Sequence, residues 1–188
     1  CPLKCVLCQN QQISRAQMGK EMTENELADV MLELQSKGAH NINLVSPTHF
    51  VPQIIRALDI AKHKLKIPVV YNTSGYEKVE TLQMLDGYVD IYLPDFKYYS
   101  SELSSKYSKA PNYFEVASKA LIEMYRQVGK FTLDENNIMQ KGMIVRHLVL
   151  PSCRKDSIRV LEELAKLLPV TNIKLSRMSQ FTPDFAPK

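Results

Sequence analysis

Cys1, Cys5 and Cys8 open the sequence as Cys-Pro-Leu-Lys-Cys-Val-Leu-Cys, and their CxxxCxxC spacing is that of a metal-binding loop. The loop delivers three thiolates, with no fourth cysteine or histidine nearby to close a tetrahedron. A structural zinc site takes four closed ligands. A four-iron cluster held by three cysteines instead leaves one iron open to an outside molecule. The alternative is a zinc ion completed by a distant histidine, which would make the loop a staple of a protein-binding module without turnover. Cys153 has no cysteine near it and reads as a half-buried structural thiol.

The rest of the chain alternates between helical and strand periodicity. Thr23-Glu-Asn-Glu26 is a capping box, followed by Leu27, Val30, Met31 and Leu34 at helical spacing and by Gly38 as a stop. Ile42 to Val45 reads as a strand, and Pro52 starts a helix that buries Ile55, Leu58 and Ala61. The cycle continues with strands at 68–71, 90–93, 143–150 and 172–175, and helices at 78–86, 113–128 and 156–168. The segment Phe131 to Gly142 breaks the cycle, and its Asp134-Glu-Asn-Asn137 has the composition of a hairpin tip. Strands alternating with helices imply parallel pairing through crossovers, hence an α/β fold.

In such folds ligands bind at the C-terminal ends of the strands. The segments expected there are polar: Ser46-Pro-Thr48-His49, Asn72-Thr73-Ser74-Gly75, Pro94-Asp95-Phe96-Lys97 and Met178-Ser179-Gln180. Asp95 and Lys97 alternate along an extended segment, so both point to one side. They form either part of a site or a local ion pair at a strand end. Of the four histidines, His49 falls on this rim, His147 within a strand as a core residue, and His40 and His63 at helix boundaries. Tyr98, Tyr99 and Tyr107 either line a substrate mouth or pack beneath a loop. Arg146 faces inward or outward, and the pattern does not decide which.

The opening Cys1 to Asn10, Asn41-Ile-Asn-Leu-Val-Ser-Pro-Thr-His-Phe50, Val69-Val-Tyr-Asn-Thr-Ser-Gly-Tyr76, Val89-Asp-Ile-Tyr-Leu-Pro-Asp-Phe-Lys97 and Val145-Arg-His-Leu-Val-Leu-Pro151 appear in an order that resembles the radical S-adenosylmethionine (SAM) superfamily. Within it the chain looks like the pyruvate formate-lyase activating enzyme-like branch, in its PflX-type group. The resemblance implies a partial (β/α)6 barrel with the cysteine loop after its first strand. That strand would precede Cys1, so the sequence reads as an N-terminally truncated radical SAM core domain over residues 1–188.

The resemblance also implies the chemistry. Cys1, Cys5 and Cys8 would hold a [4Fe-4S] cluster, with SAM on the open iron. One electron would cleave SAM to methionine and a 5′-deoxyadenosyl radical that abstracts hydrogen from a substrate. Thr48 stands where much of the superfamily has the end of a Gly-Gly-Glu motif, making it a candidate SAM contact despite the changed residues. Asn72 and Thr73 match an Asp-Thr pair, and Asp95 and Lys97 match an Asp-x-Lys pair assigned to catalysis. Gln180 would face the cofactor or substrate. Leu7 replaces an aromatic residue common before the third cysteine. The implied partners are an electron donor of flavodoxin or ferredoxin type and a substrate that is either a glycyl-radical protein or a small molecule.

Composition excludes other classes. The apolar fraction of 45% and charged fraction of 23% are those of an ordinary globular chain. No run approaches the ~20 apolar residues of a membrane span. A net charge of +4 with scattered lysines and no recognised motif argues against a nucleic-acid partner. Without an export signal, clustered cysteines suit a reducing cytoplasm, where such clusters bind metal or do redox chemistry.

Overall fold

Thr23 and Glu26 close the capping box read from the sequence: the Glu26 amide donates to Thr23 Oγ1 at 3.2 Å, and the Thr23 amide to Glu26 Oε2 at 2.7 Å. This cap starts helix α1, Glu24–Ser36, in a computed structural model that describes residues 1–6, 8, 10 and 19–179. The remaining elements are β1 (Ile42–Val45), α2 (Val51–Ala61), β2 (Val69–Thr73), α3 (Val79–Gln83) and β3 (Ile91–Pro94). After them come α4 (Ser101–Ser108), α5 (Tyr113–Val128), β4 (Thr132–Leu133), β5 (Met139–Leu148), α6 (Arg154–Leu167) and β6 (Lys174–Met178).

The strands form an α/β sheet ordered β1-β2-β3-β5, with β6 on the far side of β5. Each of those neighbours is parallel, in the registers Ile42↔Val69, Val70↔Ile91, Ile91↔Gly142 and Ile144↔Lys174. The short β4 runs antiparallel to the start of β5. Asp134 organises the hairpin tip between them, its Oδ1 accepting from the Asn136 and Ile138 amides at 2.8 and 2.9 Å. The expected hairpin is therefore present, and its return arm carries β5 back to Met139, four residues before the strand start read from the sequence.

Two other boundaries move toward the rim. β2 extends through Asn72 and Thr73, and β6 runs to Met178 rather than ending at residue 175. On α1 the buried face is narrower than its periodicity suggests. Ala28 and Met31 are buried, but Val30 and Leu34 are 38% and 43% exposed, because this helix packs on α2 at the edge of the sheet. Helix α2 buries Val51, Ile54, Ala57, Leu58 and Ala61, while Ile55 is half-buried.

Helix α4 is absent from the sequence reading. Its apolar residues, Leu103 and Tyr107, are set among four serines, which favour caps and turns over helix interiors. Ser104 and Ser105 satisfy their hydroxyls on the Ser101 carbonyl. Ser100 caps the start, and Lys109 ends the helix in the left-handed region at φ +57°.

The largest core lies between the sheet and α5, where Tyr92, Tyr113, Leu121, Met124 and Met143 are buried. Burial of each such leucine or methionine contributes ~1.5–3 kcal/mol. Leu3, from the cysteine loop, is buried in the same cluster. That contact ties the start of the chain to the sheet.

Candidate active site

The parallel strands bring their C-terminal ends to one rim, and the polar residues gather there in two groups. The first spans β2, β3 and β5. Asp95, just beyond β3, pairs with Lys97 Nζ at 2.7 Å through Oδ2 and with Arg146 Nη2 at 2.8 Å through Oδ1. The same Arg146 nitrogen donates to Asn72 Oδ1 at 2.7 Å. Backbone bonds set the spacing: the Asp95 amide donates to the Thr73 carbonyl at 2.9 Å, and the Phe96 amide to the Arg146 carbonyl at 2.8 Å. Arg146 thus faces the rim.

One carboxylate between two cations leaves the group with a net positive charge. Burial alone would pull the Lys97 ammonium down, but the Asp95 carboxylate and the nearby Cys5 sulfur outweigh it and hold Lys97 well above its ordinary range. Lys97 is therefore protonated, and the influence of Cys5 puts the cysteine loop beside this group.

The second group lies toward β1. Thr48 Oγ1 donates to Glu77 Oε1 at 2.7 Å, and Thr73 Oγ1 donates to the same oxygen. Tyr71 lies beside Thr48 and Glu77. Glu77 is only 2% exposed, and burial raises the pKa of its carboxyl against the opposing pull of the two hydroxyls.

Gly75 lets the two groups approach each other. Its φ is +77°, and an added Cβ would stand 2.1 Å from the Asp95 carbonyl oxygen. Tyr113 secures the junction, its hydroxyl lying 2.8 Å from the Ser74 carbonyl and 2.9 Å from that of Asp95 and accepting from the Lys97 amide at 3.2 Å.

The cysteine loop is docked on the C-terminal end of α4. The Val6 amide donates to the Tyr107 carbonyl at 2.9 Å, and the Lys4 amide to that of Ser108 at 3.3 Å. Cys5 Sγ lies 3.0 Å from Ser108 Oγ, which lies 2.9 Å from the Tyr98 hydroxyl. None of the four cysteines is in a disulfide. Among the described residues no three Cys, His, Asp or Glu side chains already converge as a metal site. The donor chemistry nevertheless fits an iron–sulfur cluster, since one anchored loop carries three thiols and places one of them beside a cationic rim.

The structure thus joins Thr48 to Thr73, and Asn72 to Asp95 and Lys97. Gln180 and Leu7 lie outside the described residues. His49 is exposed on the rim turn, as are His40 and His63 elsewhere. His147 is a core residue, its Nδ1 2.8 Å from the Phe96 carbonyl, and burial lowers its pKa so that it is neutral. Tyr98 packs edge-on against Tyr113 rather than lining a mouth, whereas Tyr99 is partly exposed against Phe114. Cys153 is half-buried at the start of α6, as expected for a structural thiol.

Sequence reasoning passed over Glu77, Ser108 and the direction of Arg146. The Thr-x-x-x-Glu spacing from Thr73 to Glu77 is visible, but no local pattern announces a buried carboxylate.

Comparison with known proteins bears on the family and the fold. Residues 1–141 match the radical SAM superfamily. The uncharacterized protein MJ0674 of Methanocaldococcus jannaschii is 29% identical over 202 residues, an alignment that covers 100% of this chain and 53% of that protein. The crystal structure of methylornithine synthase (PylB) superposes with a TM-score of 0.63 at 15% identity, covering 100% of this chain and 54% of the other, which shows a shared fold. The chain spans about half the length of both. Among the described residues no helix is long and apolar enough to cross a membrane.

Proposed function

The chain belongs to the radical SAM superfamily, and on that premise we propose that it is the catalytic core of a radical enzyme of the activating-enzyme type. The observation that carries this reading is the anchored three-cysteine loop, with Cys5 beside the cationic group of Asp95, Lys97 and Arg146. Cys1, Cys5 and Cys8 would hold the [4Fe-4S] cluster as thiolates. Such a cluster, with SAM bound, supplies one electron that cleaves the sulfonium carbon–sulfur bond and yields the 5′-deoxyadenosyl radical for hydrogen abstraction.

The chain's own residues bind and orient. Lys97 offers a fixed positive charge to the carboxylate of SAM, and Asp95 holds its ammonium in place. Arg146 locks Asp95 and Asn72 into one frame across three strands. The electron donor in this reading is a small flavodoxin- or ferredoxin-type carrier, and the substrate is a glycine of a partner protein.

Anaerobic reconstitution of the full-length protein with iron and sulfide tests the assignment. About four irons per chain and release of 5′-deoxyadenosine on reduction with SAM are expected. A stoichiometric zinc ion with no deoxyadenosine would overturn it.

Ser108 supplies a separate prediction. Cys5 Sγ and Ser108 Oγ share a hydrogen bond, and Ser108 Oγ shares another with the Tyr98 hydroxyl; as a ligating thiolate Cys5 can only accept, so in the loaded protein the serine hydroxyl would donate to its sulfur. Hydrogen bonds to ligand sulfurs raise a cluster's reduction potential. Ser108→Ala is expected to make the potential more negative in a spectroelectrochemical titration, with iron content unchanged. Tyr98→Phe is expected to shift it less, in the same direction.

A further inference from the structure

Five cations gather where the cysteine loop meets α4 and α6, and no carboxylate among the described residues pairs with any of them. Lys4 lies in the loop itself, and its amide is bonded to the Ser108 carbonyl, which puts it beside Lys106 and Lys109 at the end of α4. The Lys106 ammonium stands 5.3 Å from the centre of the Tyr107 ring, and its charge also acts on the Cys153 thiol. Arg154 and Lys155 follow that cysteine as the first two residues of α6. All five residues are exposed.

Helix stability explains only part of this placement. Lys106 and Lys109 complement the negative C-terminal end of α4. Arg154 and Lys155 do the opposite, standing at the positive N-terminal end of α6, where a cation is unfavourable. Asp156, the acidic residue of that turn, is committed to the Tyr99 and Ser100 amides at 3.3 and 2.7 Å. Glu102, the acid of α4, is exposed and unpaired with Lys106. Five cations against these two acids hold most of the chain's net charge of +4. Charge kept at a local cost, beside the thiols that would hold the cluster, points to an anionic visitor rather than to the fold.

The visitor's chemistry follows from what the loop must receive. Electron transfer weakens steeply with distance, so a carrier has to dock on the surface that covers the cysteine loop. Cys5 reaches both sides of that loop: its sulfur acts on Lys97 at the rim and shares a hydrogen bond with Ser108 at the end of α4. SAM takes the rim side in the reading above, which leaves the α4 side for the electron donor.

We propose that Lys4, Lys106, Lys109, Arg154 and Lys155 form the docking surface for an acidic one-electron carrier protein, which delivers its electron to the cluster across the end of α4. This inference rests on the radical SAM reading above. One electron passes from the reduced carrier to the cluster, oxidising the first and reducing the second, and no group moves with it. Opposite charge on the two surfaces raises the encounter rate and fixes the orientation more than it raises affinity.

The test is stopped-flow reduction of the cluster-loaded full-length protein, with a reduced acidic flavodoxin and the uncharged deazariboflavin radical as separate donors. Arg154→Glu/Lys155→Glu exchanges two cations for the charge that the start of a helix favours, so it does not weaken the fold. It is expected to slow reduction by flavodoxin about tenfold or more at low ionic strength, with the difference closing at high salt, and to leave reduction by deazariboflavin unchanged. Lys64→Glu/Lys66→Glu makes the same change of charge on an exposed segment before β2, at the opposite end of the strands, and is expected to slow flavodoxin far less. An unchanged flavodoxin rate in Arg154→Glu/Lys155→Glu would overturn the assignment while leaving the enzyme class intact. Equal slowing in the two double variants would overturn it as well, by showing an effect of net charge alone. Equal slowing with both donors would do the same, by placing the fault in the cluster. A wild-type protein that took up no cluster would overturn the class reading and this inference together.

Discussion

Replacing Cys1, Cys5 or Cys8 with Ala is expected to reduce the iron retained after reconstitution and desalting to near background, whereas Cys153→Ala is expected to retain the full complement. The argument is one of ligand number. A cluster held by three thiolates has no spare protein ligand, so losing one leaves two on a short loop. The loop itself would survive the change. Leu3 stays in the core, and the Lys4 and Val6 amides stay bonded to the end of α4, because these contacts use no thiol. Thermal melting of the metal-free variants should therefore keep a cooperative transition. A modest loss is expected for Cys1→Ala and Cys5→Ala, whose side chains also pack against the core.

Cys153 is the discriminating control. It stands at the N-terminal end of α6, half-buried, with its thiol pKa raised by burial. A raised pKa disfavours the thiolate that metal ligation needs. Iron loss in Cys153→Ala equal to that in Cys5→Ala would mean a closed four-cysteine site, and the open-iron argument would fail with it.

What the sequence discloses here is what depends on local pattern. Helix α5 could be read to its ends because its apolar residues recur on one face and Gly129 follows at φ +63°. The rim could be located because parallel strands must align their C-terminal ends, and four polar segments fell there. Helix α4 could not be read, because its serines weaken the helical signal; it forms against the core through Leu103, Tyr107 and the buried Ser104 and Ser108. The dock of the cysteine loop was hidden with it. Arg146 was ambiguous for a different reason. Alternation along β5 puts it opposite Val145 and His147, but does not say which side meets Asp95. Glu77 was invisible because its burial arises from contacts between β1, β2 and the turn after β2, far apart in sequence.

Asp95→Asn is expected to lower the unfolding free energy by about 2–3 kcal/mol and 5′-deoxyadenosine formation by about a hundredfold. The side chains of Asp95 and its two cationic partners are 15% and 22% exposed, so solvent screens part of the energy of a fully buried pair. Even so, the substitution leaves Lys97 and Arg146 facing each other across an amide that can accept from only one of them. The displaced ammonium would then no longer stand where the SAM carboxylate needs it, and misplacement of about 1 Å is enough for the activity loss. Arg146→Met makes the comparison sharp. It removes the bonds to Asp95 Oδ1 and Asn72 Oδ1 but leaves the Asp95–Lys97 pair neutral and intact. It should therefore cost less than Asp95→Asn in both denaturant unfolding and deoxyadenosine release. The reverse order would show that Arg146, rather than Lys97, carries the anion-binding charge of the rim, with Asp95 present chiefly to hold it.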